Sequence, residues 1–132
     1  MTRRIARLLN DTGGASIVEF AIVVPILVSF IYGTYTFGQI LEAGAGVQHA
    51  LGEGARYATI WPTPDDAAIK ARVNAKLFGT HGGTFAEPAI DNSNLANGYK
   101  TITVTYTFTP NFLFFSLPSQ TMTRSKTVYL AQ

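Results

Sequence analysis

The chain of 132 residues has no cysteine, which removes disulfide frameworks, thiol catalysis and zinc–thiolate centres from consideration. Charge is scarce: 14% of residues are Asp, Glu, Lys or Arg, against about 25% in an ordinary soluble domain. A net charge of +2 is too small for the clustered basic stripe that nucleic acid requires. Catalytic signatures are missing as well. No Gly-rich phosphate loop follows a strand pattern and no Gly-x-Ser-x-Gly occurs. His49 and His81 lie over thirty residues apart, without the spacing of a metal site. Glu87 and Asp91 can be paired on paper, but nothing around them supports acid–base chemistry. The expectation is a non-enzyme with no cofactor, no metal and no small-molecule substrate. What is present in quantity is apolar: 47% of residues are hydrophobic, which excludes intrinsic disorder.

The missing charge is localised. Between Glu19 and Glu42 lie 22 consecutive residues, Phe20 to Leu41, without a charged side chain. As a helix this run extends roughly 33 Å, enough for a hydrocarbon core of about 30 Å. Arg3, Arg4 and Arg7 precede it, and no Lys or Arg follows until Arg56. That asymmetry keeps the N-terminus in the cytoplasm and sends the C-terminal domain outward, periplasmic or extracellular. Pro25 removes one backbone hydrogen bond inside the run and predicts a kink. Glu19 is the costly residue: at the edge of a membrane helix a carboxylate costs about 2–3 kcal/mol unless it is paired or reaches the headgroups.

Directly after the basic leader the chain reads Gly13-Gly14-Ala15-Ser16-Ile17-Val18-Glu19-Phe20. This resembles the processing site of pilin-like proteins, in which a prepilin peptidase cuts after a glycine and a glutamate becomes the fifth mature residue. The glycine, four residues, Glu-Phe, an apolar stretch and Pro25 are similar to the TadE-like family, minor pilins or pseudopilins of tight-adherence, Flp-type pilus machines. The resemblance is specific over residues 13 to about 60. It implies cleavage between Gly14 and Ala15 and pairing of Glu19 with the amino terminus of a neighbouring subunit. It also implies three kinds of partner: a prepilin peptidase, other pilin or pseudopilin subunits, and an inner-membrane pilus platform. In physical terms, glycines at 13 and 14 admit the backbone to a protease cleft, and pairing offsets the burial of two opposite charges. Removing the leader with Arg3, Arg4, Arg7 and Asp11 leaves seven basic and seven acidic side chains.

Two other outcomes compete. An uncleaved single-pass anchor would carry an outer partner-binding domain. Alternatively, Ala43-Gly44-Ala45 resembles a signal-peptidase site that would release a soluble domain starting near Gly46. Against the latter, the apolar run is longer than a signal peptide needs, and Glu19 sits at its entrance.

Past the run, residues 41–60 keep a helical period. Ile40, Gly44, Val47, Leu51, Ala55 and Ala58 share one face, with Glu42, His49, Glu53 and Arg56 opposite; Glu53 can reach Arg56 or His49 across a turn. Gly46, Ala50, Gly54 and Ala58 repeat every fourth residue, the spacing that lets helices approach closely. That stripe suits packing against other subunits or against the chain's own globular part. On the first view, Gly54→Leu disrupts assembly without weakening the isolated helix.

The remainder predicts a small domain. Trp61-Pro62-Thr63-Pro64 ends the stalk, and a second helix begins with Thr63 as cap and Pro64 in its first position, running to Gly79. Ile69, Val73 and Leu77 form its apolar stripe, with Lys70, Arg72 and Lys76 toward water. Residues 79–98 are turn-rich, and Asp91-Asn92-Ser93-Asn94 suits an Asx-turn better than a calcium loop. Ile102, Val104, Tyr106 and Phe108 alternate with threonines as a half-buried strand. A second strand from about Thr121 to Leu130 carries Arg124 and Lys126 on the face of Met122 and Val128, a charge-guarded edge. The intervening Pro110–Pro118 segment is unusually apolar, and either caps the core or meets a neighbour or a membrane. The fold class is α+β: a long N-terminal transmembrane and stalk helix packed on a small antiparallel sheet, with one additional short helix. The expected divisions are a leader over 1–14, the helix over 15–60 and an extracytoplasmic domain over 61–132.

Overall fold

A computed structural model describes residues 12–130. The leader arginines and Asp11 lie outside the described residues. Helix α1 (Thr12–Ala58) is 47 residues long and continues through Pro25; at about 1.5 Å per residue it extends roughly 70 Å. Helix α2 (Asp66–Asn74) follows, then strands β1 (Gly83–Phe85), β2 (Ala89–Asp91), β3 (Tyr99–Phe108) and β4 (Gln120–Tyr129). The architecture is the α+β arrangement of a long helix on a small antiparallel sheet. Residues 79–98, which read as turns, also contain β1 and β2; three-residue strands are too short to show a period.

The sheet is organised around β3. Along one side β4 pairs with it over its whole length, from Tyr99↔Tyr129 to Phe108↔Gln120. Along the other side β1 and β2 share it, with Gly83 opposite Phe108 and Asp91 opposite Thr101. Ile102, Val104 and Tyr106 point inward and are fully buried. The threonines face out in rungs across to β4: Thr105 with Thr123 at 3.2 Å, and Thr109 with Ser119 at 2.9 Å. Arg124 stands opposite Val104 and Lys126 opposite Ile102, both exposed on the core side of the edge strand. Charges in that position oppose pairing with a further strand.

The short helix starts later than its sequence suggests. Asp65, not Thr63, is the cap: its carboxylate accepts from the Ala68 N–H at 2.7 Å. The helix also ends by Asn74, short of Gly79, which adopts φ +77°. Ile69 and Val73 are buried against α1.

Close approach defines the join between α1 and the domain. Along α1, Ala43, Val47, Ala50, Leu51, Ala55 and Ala58 belong to the core, with Gly46 and Gly54 buried among them. A Cβ at Gly54 would collide with Val73 Cγ2, and one at Gly46 with the Phe78 carbonyl oxygen. The buried face is therefore rotated toward the small-residue stripe relative to the face read from Ile40 and Gly44. That stripe packs on the chain's own α2 and the segment after it, so substitution at Gly54 tests the fold before it tests assembly.

Two ion pairs tie the helices to their surroundings. Arg72 donates to Glu53 at 3.1 Å, so Glu53 bridges to α2 instead of reaching Arg56 or His49, and Arg72 is half-buried. Lys100 is 6% exposed on the inward face of β3 and donates to Asp66 at 2.8 Å. Asn92 also donates to Asp66. The Lys100 hydrogen bond is the main reason the Asp66 carboxyl lies below its ordinary value of 3.8; partial burial opposes it and Asn92 adds to it.

Replacing Gly54 by Leu should lower unfolding stability of the detergent-solubilised chain by about 1–2 kcal/mol, overpacking outweighing the gain in helix propensity. Gly52→Ala is the control. A Cβ there meets nothing within 4 Å, so stability should rise by up to about 1 kcal/mol. Asp66→Asn should cost about 2 kcal/mol at neutral pH, less than a fully buried pair because Asp66 is 37% exposed. Adding Lys100→Met should recover part of that loss. Since the folded carboxyl is depressed, its stabilisation is complete above the unfolded value. It is lost as pH falls through the lower folded value. Denaturation midpoints should therefore fall with acidification below about pH 4, and fall less in Asp66→Asn.

Candidate functional site

The domain occupies only the second half of α1. Residues 14–28 are exposed apart from half-buried Val24. The exposed side chains are large: Ile17, Phe20, Ile26, Phe30 and Ile31 are each at least 60% accessible. A surface of this kind is rare in water, and the helix is long and apolar enough to cross a membrane.

Internal hydrogen bonds suit it to an apolar solvent. Ser29 Oγ donates to the Pro25 carbonyl at 2.8 Å, Thr34 Oγ1 to Phe30 at 2.9 Å and Thr36 Oγ1 to Tyr32 at 3.0 Å. Gln39 Nε2 donates to the Tyr35 hydroxyl at 3.1 Å. Each bond satisfies, within the helix, a side chain that would otherwise require water. Proline costs the helix one donor, to the carbonyl one turn before it, whereas the Ser29 hydroxyl serves the Pro25 carbonyl one turn later.

Gly13, Gly14 and Ala15, expected from the sequence to be the processing site, fall in the first turn of α1. Gly14 and Ala15 are exposed, and nothing lies within 4 Å of a Cβ built on Gly14. Two adjacent glycines make this the turn easiest to unwind. Glu19 is exposed on the next turn, beside exposed Phe20, with Pro25 farther along. Among the described residues no cation lies in ion-pair range of Glu19. The structure thus keeps Glu19, Phe20 and Pro25 on the bare half of the helix. It places the other predicted set, Gly46, Ala50, Gly54 and Ala58, inside the domain contact. The two sets do not come together.

Other chemistry is sparse. Among the described residues, no three His, Asp or Glu side chains converge as metal ligands. His49 lies with its ring 5.8 Å from Phe78, and His81 borders a cavity of about 170 Å³ with Tyr32, Thr36, Gln39 and Asn111. The Tyr106 hydroxyl is buried without a hydrogen-bond partner among the described residues, and burial pushes its pKa up. In the loop after β2, the Ser93 N–H donates to Asp91 Oδ1 at 2.9 Å, an Asx-turn. That contact draws the Asp91 carboxyl below its ordinary range.

Sequence reasoning missed two contacts. Lys100 continues the inward alternation of Ile102, Val104 and Tyr106 by one step, so the period itself signalled a buried lysine. Thr36 Oγ1 also approaches the Asn111 carbonyl at 3.3 Å, joining the apolar segment after β3 to the helix; no local pattern announces a contact so distant in sequence.

Comparison with curated proteins and with solved structures returns no match. Residues 14–56 match the family described as TadE-like protein. The matched segment begins at the glycine of the processing motif and ends within the last turn of α1. Over the helix that runs from its bare apolar half into the domain core, the chain is similar to the TadE-like family.

Proposed function

We propose that the chain is a minor pilin or pseudopilin of a tight-adherence pilus apparatus, acting structurally in pilus biogenesis and surface adhesion. In this reading α1 crosses the cytoplasmic membrane with its N-terminus inside, and the sheet domain stands on the outer side. A prepilin peptidase removes residues 1–14. Other pilin subunits and the membrane platform then receive the bare half of α1. One observation carries the proposal: the TadE-like segment coincides with a helix whose first half is exposed apolar surface broken by a single carboxylate, Glu19.

The physics of that carboxylate supports a partner. Cleavage after Gly14 creates an ammonium at Ala15. Brought from a neighbouring subunit against Glu19, it cancels a charge that lipid solvates poorly. The competing release at Ala43-Gly44-Ala45 is disfavoured, because this stretch is helical and Ala43 and Gly46 are buried. A protease needs its substrate extended, and unwinding here would strip the core.

The N-terminal residue of protein recovered from the envelope discriminates the readings. Ala15 is expected; Met1 or Thr2 would mark an uncleaved anchor and Gly46 a secreted domain. Glu19→Ala should leave accumulation and domain unfolding unchanged. Loss of a buried pair worth about 3–5 kcal/mol should weaken association between subunits by more than about 100-fold. Wild-type pilus assembly and adhesion in that variant would refute the pairing.

A further inference from the structure

The segment between β3 and β4 is built for an apolar solvent. Leu113, Phe114, Phe115 and Leu117 are 46–64% exposed. They do not complete the core, although a loop of this composition is well able to. Phe112 turns back instead and packs on α1: a Cβ at Gly33 would lie 2.8 Å from its ring. Phe112 and Phe115 stack at 5.0 Å. The loop therefore rests beside Gly33 and Thr36, within the charge-free run of the helix.

Its backbone needs little water. Phe112 N–H donates to Phe115 O, Phe114 N–H to Phe112 O and Leu117 N–H to Pro110 O, at 2.7–2.9 Å. The Asn111 side chain accepts from Leu113 N–H at 3.0 Å, and Pro110 and Pro118 have no N–H to satisfy. Leu113 holds φ +68°, a conformation costly for a bulky residue, which keeps the tip tightly folded with its apolar side chains outward.

The charge pattern extends beyond the loop. No Asp, Glu, Lys or Arg occurs between Lys100 and Arg124, or between Lys76 and Glu87. The sheet register places Gly83 opposite Phe108, and Phe108 opposite Gln120, at the loop end of the domain. The stretches at Gly82 and at Phe108–Asn111 line one cavity with Tyr32, Thr36 and Gln39 of α1, and neither contributes an Asp, Glu, Lys or Arg there. Charges resume only farther up, at Glu42 on the helix and Arg124 on the edge strand. Tyr32 and Tyr35 lie at the same level, where aromatic residues favour the boundary between lipid and water.

We infer that the Pro110–Pro118 loop is a second membrane contact. It dips into the acyl boundary of the leaflet facing the domain, with Leu113, Phe114, Phe115 and Leu117 in lipid. The inference rests on α1 spanning the bilayer. The occupant is lipid and not a second protein because the patch continues the bare apolar surface of α1 at one depth and the pole carries no Asp, Glu, Lys or Arg. With two contacts the helix and the domain packed on it are held together at one depth and one tilt.

The test uses the full chain with Trp61→Phe as background, reconstituted at low density in vesicles of zwitterionic and anionic phospholipid. Phe114→Trp reports on the loop, and Phe30→Trp, at the middle of the run, reports on the helix in lipids brominated near the terminal methyl end of the acyl chain. Lipids brominated near the glycerol end of the acyl chain should quench the loop tryptophan, with blue-shifted emission and little quenching by aqueous iodide. Iodide quenching without bromine quenching, while Phe30→Trp is quenched by bromolipid, overturns the loop contact alone. Protection from both quenchers overturns it in favour of a protein neighbour. Loss of bromine quenching at both positions removes the spanning reading and the loop contact with it.

Discussion

The distance at which α1 can approach its own domain governs the rest of the structure. A sheet of four strands, two of them only three residues long, offers a thin core. The domain is completed by the second half of α1, and small side chains let the backbone lie close. At Gly54 the missing methyl is occupied by Val73, and at Gly46 by the backbone of Phe78. Each glycine weakens the helix by up to about 1 kcal/mol compared with alanine. The contact they allow brings Val47, Ala50 and Leu51 against Ile69, Val73, Ile102 and Val104. Rigid attachment follows: the domain cannot leave the helix without opening its core, so whatever fixes the helix also fixes the domain.

Features repeated along the chain were legible in the sequence, and those that depend on distant meetings were not. The charge-free run is one contiguous stretch, while the four-residue stripe and the threonine alternation of β3 each repeat a short period that corresponds to one face of one element. The TadE-like resemblance was likewise readable from contiguous residues, and the family match covers the same segment. The direction in which the stripe faces was not readable. Gly46 and Gly54 look alike whether the neighbour is another subunit or α2, because small residues record proximity and not the identity of the partner. The capping of α2 shows a second limit. Thr63 and Asp65 both have capping side chains, and the cap is Asp65 because its oxygen reaches Ala68 N–H. Glu53 shows a third: local spacing favoured partners on its own helix, while Arg72 came within reach only through the α1–α2 contact.

Charge placement links the two halves. Lys100 is buried and compensated by Asp66; Glu53 is compensated by Arg72. Arg124 and Lys126 guard the strand edge from the core-side face, where both still reach water. In each of these cases the structure supplies either a partner or water. Glu19 has no partner among the described residues, and with the apolar surface around it in lipid a carboxylate costs about 2–3 kcal/mol unless it is paired or reaches the headgroups. A residue of that cost, placed one turn after a glycine pair and on the half of the helix that the domain leaves uncovered, is best accounted for by a charge arriving from outside the folded unit. On the proposed function, cleavage after Gly14 would release an ammonium at Ala15, of the right sign and one helical turn from Glu19. If supplied by a neighbour, it makes subunit association depend on processing, because the uncleaved chain has an amide there and no charge to offer. On that proposal the two glycines and the glutamate form one device, in which proteolysis would create the partner that Glu19 lacks within its own chain.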